Sequence, residues 1–488
     1  MSSLPAPRAN ASKLGSLARL TAIELLDGYR TGKFSPSEVI EDVIAALQAA
    51  DDRCNVMVEP MFEAARAEAE HATRAWRSGH AAGTLAGVPV TVKDLIFVAG
   101  VPARGGAPVL QSFVPDVDSA VVTSLRNAGA VITCKTTTCE SGYKLTADSP
   151  VSGITRNPWN PARTSGGSSG GAAAAVASGC GPLAVGTDGV GSIRVPASFC
   201  GVFGIKPTFG LVPRAPGFFP PSWASLAHTG PIARTVADAA LLLEAIAGHD
   251  IRDAASLPVA ARRFDATPGS LKGLRIAFTP DFGYAPVMPD VRQAFLAAVD
   301  VLKQLGAATT HDDVGIDPDV LERTARTIAY TEQAGAVVTR DAQQMSLSDP
   351  EYQDVIAKGR RYTGADYIDA MHRRTQLRGQ FVKLFQRADV LVTPTVAVTA
   401  FPAGTLGADR IDGHAVDRHL GWSPFSWPIN LAGAPAATLP CGFDRDGLPI
   451  GLQIVAPWLE EGRIFRVAAA LEQALGLSGR WPDLAVGG

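Results

Sequence analysis

The sequence predicts an α/β layered fold. Two observations carry that prediction: helix-capping signatures fill the first eighty residues, and from residue 85 onward strand and helix patterns alternate along the chain.

Ser35, Pro36, Ser37 and Glu38 form a capping box with proline at the first helical position, and Val39, Ile40, Val43, Ile44 and Leu47 follow on one face. Thr21 to Glu24 is a second capping box, and a third amphipathic helix is expected from about Pro60 to Trp76, ending at Ser78-Gly79. The run AGVPVTVKDLIFVAG then alternates Val88, Val90 and Val92 with Pro89, Thr91 and Lys93 and closes on Gly100, which is a strand followed by a turn. Residues 118–128 read as a helix and 130–134 as a short buried strand.

Between 150 and 215, Gly, Ser and Thr stand where a packed core would hold larger side chains, so close backbone approach is wanted there. TVADAALLLEAIAG (235–248) is a helix with an N-cap threonine and a terminal glycine. Further on, 271–278 and 388–395 read as strands, 291–307 as a helix, 340–385 as long charged helices, and 430–440 and 447–455 as strands punctuated by Gly and Pro.

With 488 residues the chain can bury a large core, and without a low-complexity linker or internal repeat it reads as a single domain, 1–488. Within it lie an N-terminal helical region (1–80), a central region (85–250) and the remainder (251–488). A net charge of −3 provides no attraction for a polyanion, which argues against nucleic acid as a partner. Six scattered cysteines show no CxxC pairing and suit a reducing cytoplasm. The N-terminus lacks an apolar signal core, and the Ala/Gly-rich stretch from Gly170 to Gly186 is too short to span a bilayer, so no membrane association is expected.

Three features stand together: Lys93 at a strand end, the block GGSSGG (166–171), and GTDGVGSIRVPAS (186–198). A glycine-serine block by itself is more often a loop than a site; the combination is what carries chemistry. Rival motifs lack their context. Ser169 is central in a GxSxG pattern, but no apolar strand precedes it, and Ser141 to Lys144 matches SxxK without the companion motifs. No phosphate-binding or dinucleotide fingerprint is complete. The eight histidines include no metal-ligand spacing, so neither metal nor cofactor is expected. His228 reads as a structural hydrogen-bonding residue, and Cys180 and Cys200 as core.

Those motifs, with CGVFGIKPTFGLVPR (200–214), GPIARTVADAALLLEAIAG (230–248) and NLAGAPAATLPCGFDRDGLPIGLQIV (430–455), make the chain resemble the amidase signature family from about residue 20 to 470. The resemblance implies a mixed twisted β-sheet sandwiched between α-helices, with the N-terminal helices packed on the core. It implies Ser192 as nucleophile, Ser168 as bridging proton shuttle and Lys93 as base. Such a lysine must be neutral, which requires desolvation. It further implies an oxyanion hole of backbone N–H groups from Gly189, Val190, Gly191 and Ser192, with Asp188 and Arg194 holding the geometry.

Two departures from the family pattern stand out. Val190 replaces the first of two glycines before the nucleophile, so residue 190 must sit at negative φ or carry strain. Ala227 stands where an acidic residue is common.

The expected reaction is hydrolysis of small apolar amides, anilides or carbamates (urethanes) through an acyl-enzyme, on a small-molecule substrate and with a homodimer as an allowed assembly. Tyr143, Phe218, Phe219, Trp223, Trp422, Phe425 and Trp427 are the candidate pocket residues, with core packing as the alternative for the aromatic loops. The rival enzyme class is the glutaminase subunit of a tRNA-dependent amidotransferase, in which Arg378 is a candidate to hold a glutamine α-group. A catalytically inactive binding protein would require loss of a triad member, and all three are present.

Overall fold

Apolar, β-branched runs buried on both faces become the inner strands of one sheet. In the computed structural model, which describes residues 17–219, 225–260 and 262–483, the sheet strands are β1 (Met57–Pro60), β2 (Pro89–Lys93), β3 (Val131–Thr136), β4 (Leu183–Asp188), β5 (Phe203–Lys206), β6 (His228–Ala233), β7 (Arg275–Phe278), β8 (Ala308–His311), β9 (Val390–Pro394), β10 (Ala436–Phe443) and β11 (Pro449–Val455). They form an 11-stranded sheet in the order β1-β3-β2-β4-β6-β5-β10-β11-β9-β7-β8. Pairing is mixed: β2 runs parallel to β3 and β4, whereas β4–β6 and β10–β11 are antiparallel.

Helices flank this sheet. Gly170–Ala177 and Arg194–Cys200 pack on each other and on the central strands, and Val236–Ile246, Pro289–Gln304 and Glu461–Leu475 form a second group against the same sheet. Both N-terminal capping boxes are formed, by Thr21 with Glu24 and by Ser35 with Glu38. Among the described residues no helix is long and apolar enough to cross a membrane.

Some elements differ from the sequence expectation. Residues 430–440 do not form one strand: Trp427–Ala432 is helical, Gly433 closes it at positive φ, and the strand starts at Ala436. Pro428 at the first turn of this helix is a start signal that the surrounding Gly/Pro punctuation obscures. Gly248 does not cap the helix before it, which ends at Ala247 in extended geometry. Strand β1 and the helix Pro318–Ala336 were not expected. That helix packs with Pro350–Gly359 and Gly364–Arg387, and its Tyr330 and Ala334 join Cys139, Tyr143, Tyr352, Val355 and Ile356 in a second apolar cluster. The cluster anchors the helical region beside the C-terminal ends of β2 and β3.

Candidate active site

Lys93 is the last residue of β2 and is fully buried. Its Nζ lies 2.7 Å from Ser168 Oγ, 3.0 Å from Ser169 Oγ and 2.9 Å from Thr187 Oγ1. Among the described residues no carboxylate meets it. Burial pushes its pKa down to about 7, against opposing pulls from Cys139 and Asp188, with the Arg214 cation lowering it further.

A second buried lysine nearby shows what Lys93 lacks. Lys135 on β3 is paired with Asp94 at 2.9 Å, and Asp94 also accepts the backbone N–H groups of Arg104 and Gly105. Lys135 is thereby held as half of an ion pair, whereas the partners of Lys93 are hydroxyls.

The hydroxyls have a direction. Ser169 Oγ donates to the Thr187 carbonyl at 3.1 Å and accepts from the Thr187 N–H at 3.2 Å, so toward Lys93 it acts as acceptor. When Lys93 is neutral its two N–H bonds serve Ser169 and Thr187, and its lone pair is left for the proton of Ser168. Ser168 and Ser192 both line one open cavity. The two loops are tied by the Ser169 N–H, which donates to the Ser192 carbonyl at 3.1 Å.

The loop before Ser192 is built around Asp188. Its carboxylate accepts from the Gly191 N–H (2.8 Å) and the Ile193 N–H (3.2 Å), from Arg194 Nε and Nη2 (2.9 and 3.0 Å), and from Asn430 Nδ2 (2.8 Å). Burial works to raise the Asp188 pKa, but the Arg194 guanidinium and these donors outweigh it and hold the carboxyl well below the usual range. Arg194, itself fully buried, reaches on to the Ser426 carbonyl (3.0 Å), Gln453 Oε1 (2.6 Å) and Asn430 Oδ1.

The Asp188 contacts correct one expectation. The Gly191 N–H is turned away from the cavity and spent on Asp188, because the turn that places Ser192 needs a carboxylate anchor. The N–H groups of Gly189, Val190 and Ser192 have no acceptor among the described residues, and these three residues line the cavity. Val190 is not at positive φ; Gly191 takes that role at φ 134, where a Cβ would meet Ser426 Oγ at 2.6 Å. The Val190 carbonyl accepts from Ser426 Oγ at 2.6 Å. His228 is structural as expected: its Nδ1 lies 2.7 Å from the Leu226 carbonyl and 3.2 Å from that of Asp188. Burial, assisted by the Lys206 cation, holds its pKa well below the ordinary imidazole value.

Of the aromatic candidates, Tyr143 and Phe219 line the cavity. Phe218, Trp422, Phe425 and Trp427 do not; they are buried in the main core, where Trp422 stacks on Phe199. The physical reason lies in the segment 422–430, whose polar residues Ser423, Ser426 and Asn430 face the Asp188 loop, leaving its large apolar side chains to pack behind. Trp223 lies outside the described residues. Arg378 is also elsewhere, donating to the Ala432 carbonyl at 2.9 Å with its guanidinium over the Trp458 ring.

Other cavity residues were not anticipated: Leu95, Arg214, Leu226, Val355 and Leu420, and Tyr330, Glu332 and Gln333 from the helix Pro318–Ala336. Sequence spacing marks that helix as amphipathic at best. Which of its faces meets the site depends on how the helical region docks.

The arrangement is a buried lysine, unpaired with any described carboxylate and connected through a serine to a cavity with a second serine and free backbone donors. The Amidase family model matches residues 38–465. An acylamidase of Rhodococcus erythropolis is 35% identical over 93% of this chain and 95% of its own length. A glutamyl-tRNA(Gln) amidotransferase subunit of a Cyanothece strain is 36% identical over 92% of this chain and 97% of its own. The structure of a bacterial aryl acylamidase of the amidase signature family superposes with a TM-score of 0.87 at 29% identity, covering 95% of this chain and 99% of that one. The chain belongs to the amidase family, as an amidase signature enzyme that hydrolyses carbon–nitrogen bonds.

Proposed function

We propose that this enzyme cleaves small apolar amides, anilides or carbamates through an acyl-enzyme, with Ser192 as nucleophile, Ser168 as proton shuttle and Lys93 as base. The observation that carries the reading is the three-hydroxyl cage around a desolvated Lys93, of which Ser168 is the nearest member.

In the first step Ser192 Oγ bonds to the substrate carbonyl carbon. Its proton passes to Ser168 Oγ as the Ser168 proton passes to Lys93 Nζ. The carbonyl oxygen, now negative, accepts from the N–H groups of Gly189, Val190 and Ser192, a role supported by their having no other acceptor among the described residues. Collapse breaks the C–N bond while the proton returns from Lys93 through Ser168 to the leaving nitrogen. Water then attacks the ester, surrendering its proton by the same relay; Ser192 is regenerated and the acid released.

The apolar walls Leu95, Tyr143, Val190, Phe219, Leu226 and Leu420 favour an aryl or alkyl body. Relatives that are amidotransferase subunits favour a second reading, a glutaminase acting within a complex. Arg378, the residue considered for a glutamine α-group, is engaged outside the cavity, which favours the first. Release of amine from an anilide and a carbamate, compared with ammonia from L-glutamine by the isolated chain, tests the choice. Anilide turnover above glutamine turnover by about 100-fold or more is expected. Ammonia release from glutamine without amine release from either alternative overturns the proposal.

A further inference from the structure

Two charged side chains line the cavity, Arg214 and Glu332, and they differ in how they are satisfied. Glu332 accepts from the Ser225 N–H at 3.1 Å, from Ser225 Oγ at 2.5 Å and from the Tyr367 hydroxyl at 2.9 Å. Its acceptor capacity is largely used within the protein.

Arg214 has nothing comparable. Among the described residues no acceptor meets its guanidinium, and its Nε is buried without a partner. Its favourable contact is the Phe218 ring, whose centroid lies 5.0 Å away. The neighbouring carboxylate, Asp253, is spent on the backbone N–H groups of Arg214 (2.6 Å) and Ala215 (3.2 Å). Ala227 lines the same cavity with only a methyl group. Burial lowers the Arg214 pKa to about 10, with Asp253 and Glu332 opposing, so the group stays cationic at neutral pH.

A guanidinium that is half-buried, with its Nε shut off from water and without an acceptor, is unfavourably placed until something supplies one. Its planar fork matches two oxygens of one carboxylate. Resting on the amidohydrolase reading above, we infer that Arg214 is a specificity-determining residue that receives a carboxylate on the substrate. The preferred amide combines an apolar body, seated against Leu95, Phe219 and Leu226, with an anionic end.

Two pairs of amides test this, each with a carboxylated and a neutral member: succinanilate against pentananilide, with the charge on the acyl side, and 4-acetamidobenzoate against 4-methylacetanilide, with the charge on the amine side. In at least one pair the carboxylated member is expected to have the higher kcat/KM, by about tenfold or more and mainly through KM. Arg214→Met is expected to collapse that ratio by at least about tenfold, and Arg214→Lys to restore part of it. Ala227→Asp, which places a carboxylate in the same cavity without removing Arg214, is expected to lower the ratio in the same direction, and keeps the test meaningful should Arg214→Met fold poorly. Calorimetric binding of the preferred carboxylated amide to Ser192→Ala, with and without Arg214→Met, reads the contact without turnover. Neutral members preferred in both pairs, or a ratio and a binding affinity unchanged by Arg214→Met, overturn the inference while leaving the amidohydrolase reading intact. Absence of amine release from all four amides and from the carbamate by the wild-type enzyme overturns that reading, and this inference with it.

Discussion

Lys93 Nζ and Ser168 Oγ are 2.7 Å apart, and Ser168 is the one of the two that lines the cavity. Lys93 is shut off from solvent, while Ser168 faces the space where a substrate would lie. Lys93 meets that space through hydroxyls, Ser168 at 2.7 Å and Thr187 at 2.9 Å, so proton exchange with the cavity depends on how readily a buried amine holds the proton they pass.

The first prediction concerns that amine. Lys93→Met keeps the side-chain length and removes the proton acceptor, so kcat should fall by about 10²–10⁴-fold. Steady-state anilide hydrolysis measures this, with circular dichroism confirming the fold. A loss below about threefold would rule out Lys93 as the base.

A second prediction is the pH dependence. The base works when neutral, and with its pKa at about 7 the acidic limb of kcat/KM should rise with unit slope and bend near pH 7. Stability follows the same group. In the unfolded chain a lysine titrates near 10.5, so between about pH 7 and 10.5 the unfolded state binds more protons and this residue's contribution to stability rises with pH. The stability of Lys93→Met relative to wild type should therefore decline across that window, by about 1.4 kcal/mol per pH unit at most. Urea titrations at pH 7 and 9 measure it; a relative stability of the variant that grows with pH contradicts the assignment.

A third concerns the anchor of the nucleophile loop. Asp188→Asn leaves Arg194 fully buried without its carboxylate, a change that costs about 3–5 kcal/mol in comparable buried pairs. Chemical unfolding should show a loss of that order, and residual activity should be minor because the turn holding Gly191 and Ile193 loses its acceptor.

Position 190 separates substrate preference from loop integrity. Val190 has ordinary backbone geometry and lines the cavity, whereas Gly191 sits at φ 134 against Ser426. Val190→Gly should keep the enzyme active and shift its preference toward bulkier acyl groups. Gly191→Ala should cut kcat by about 100-fold or more, since the added methyl meets Ser426 and displaces the loop. Kinetics of both variants on acetanilide and a branched-chain anilide distinguish the two effects.

The aromatic residues divide in the same way. Trp422→Ala should destabilise the protein by about 3–5 kcal/mol, as expected for a fully buried tryptophan stacked on Phe199. Phe219→Ala should instead raise KM for aryl substrates with a smaller effect on stability. Thermal unfolding and Michaelis constants, measured on both variants, check the division.

What was legible from the chain and what was not follow a physical boundary. Capping boxes at Thr21 and Ser35, the alternating valines ahead of Lys93 and the glycine-serine loops are local signals, decided by residues a few positions apart, and they can be read from the chain alone. The motifs around residues 93, 168 and 192 are likewise local, and the chemistry proposed for them rests on residue types the sequence displays: glycines that expose backbone donors and serines that offer hydroxyls. Tertiary structure alone decided the rest: that Asn430 and Gln453 complete the shell around Arg194, that Trp422 packs inward, and that the helix Pro318–Ala336 supplies one wall of the cavity. These pairings join residues up to hundreds of positions apart. Burial, which pushes Lys93 down to about 7 and leaves Arg214 without an acceptor among the described residues, belongs to the packed molecule and to no segment of it.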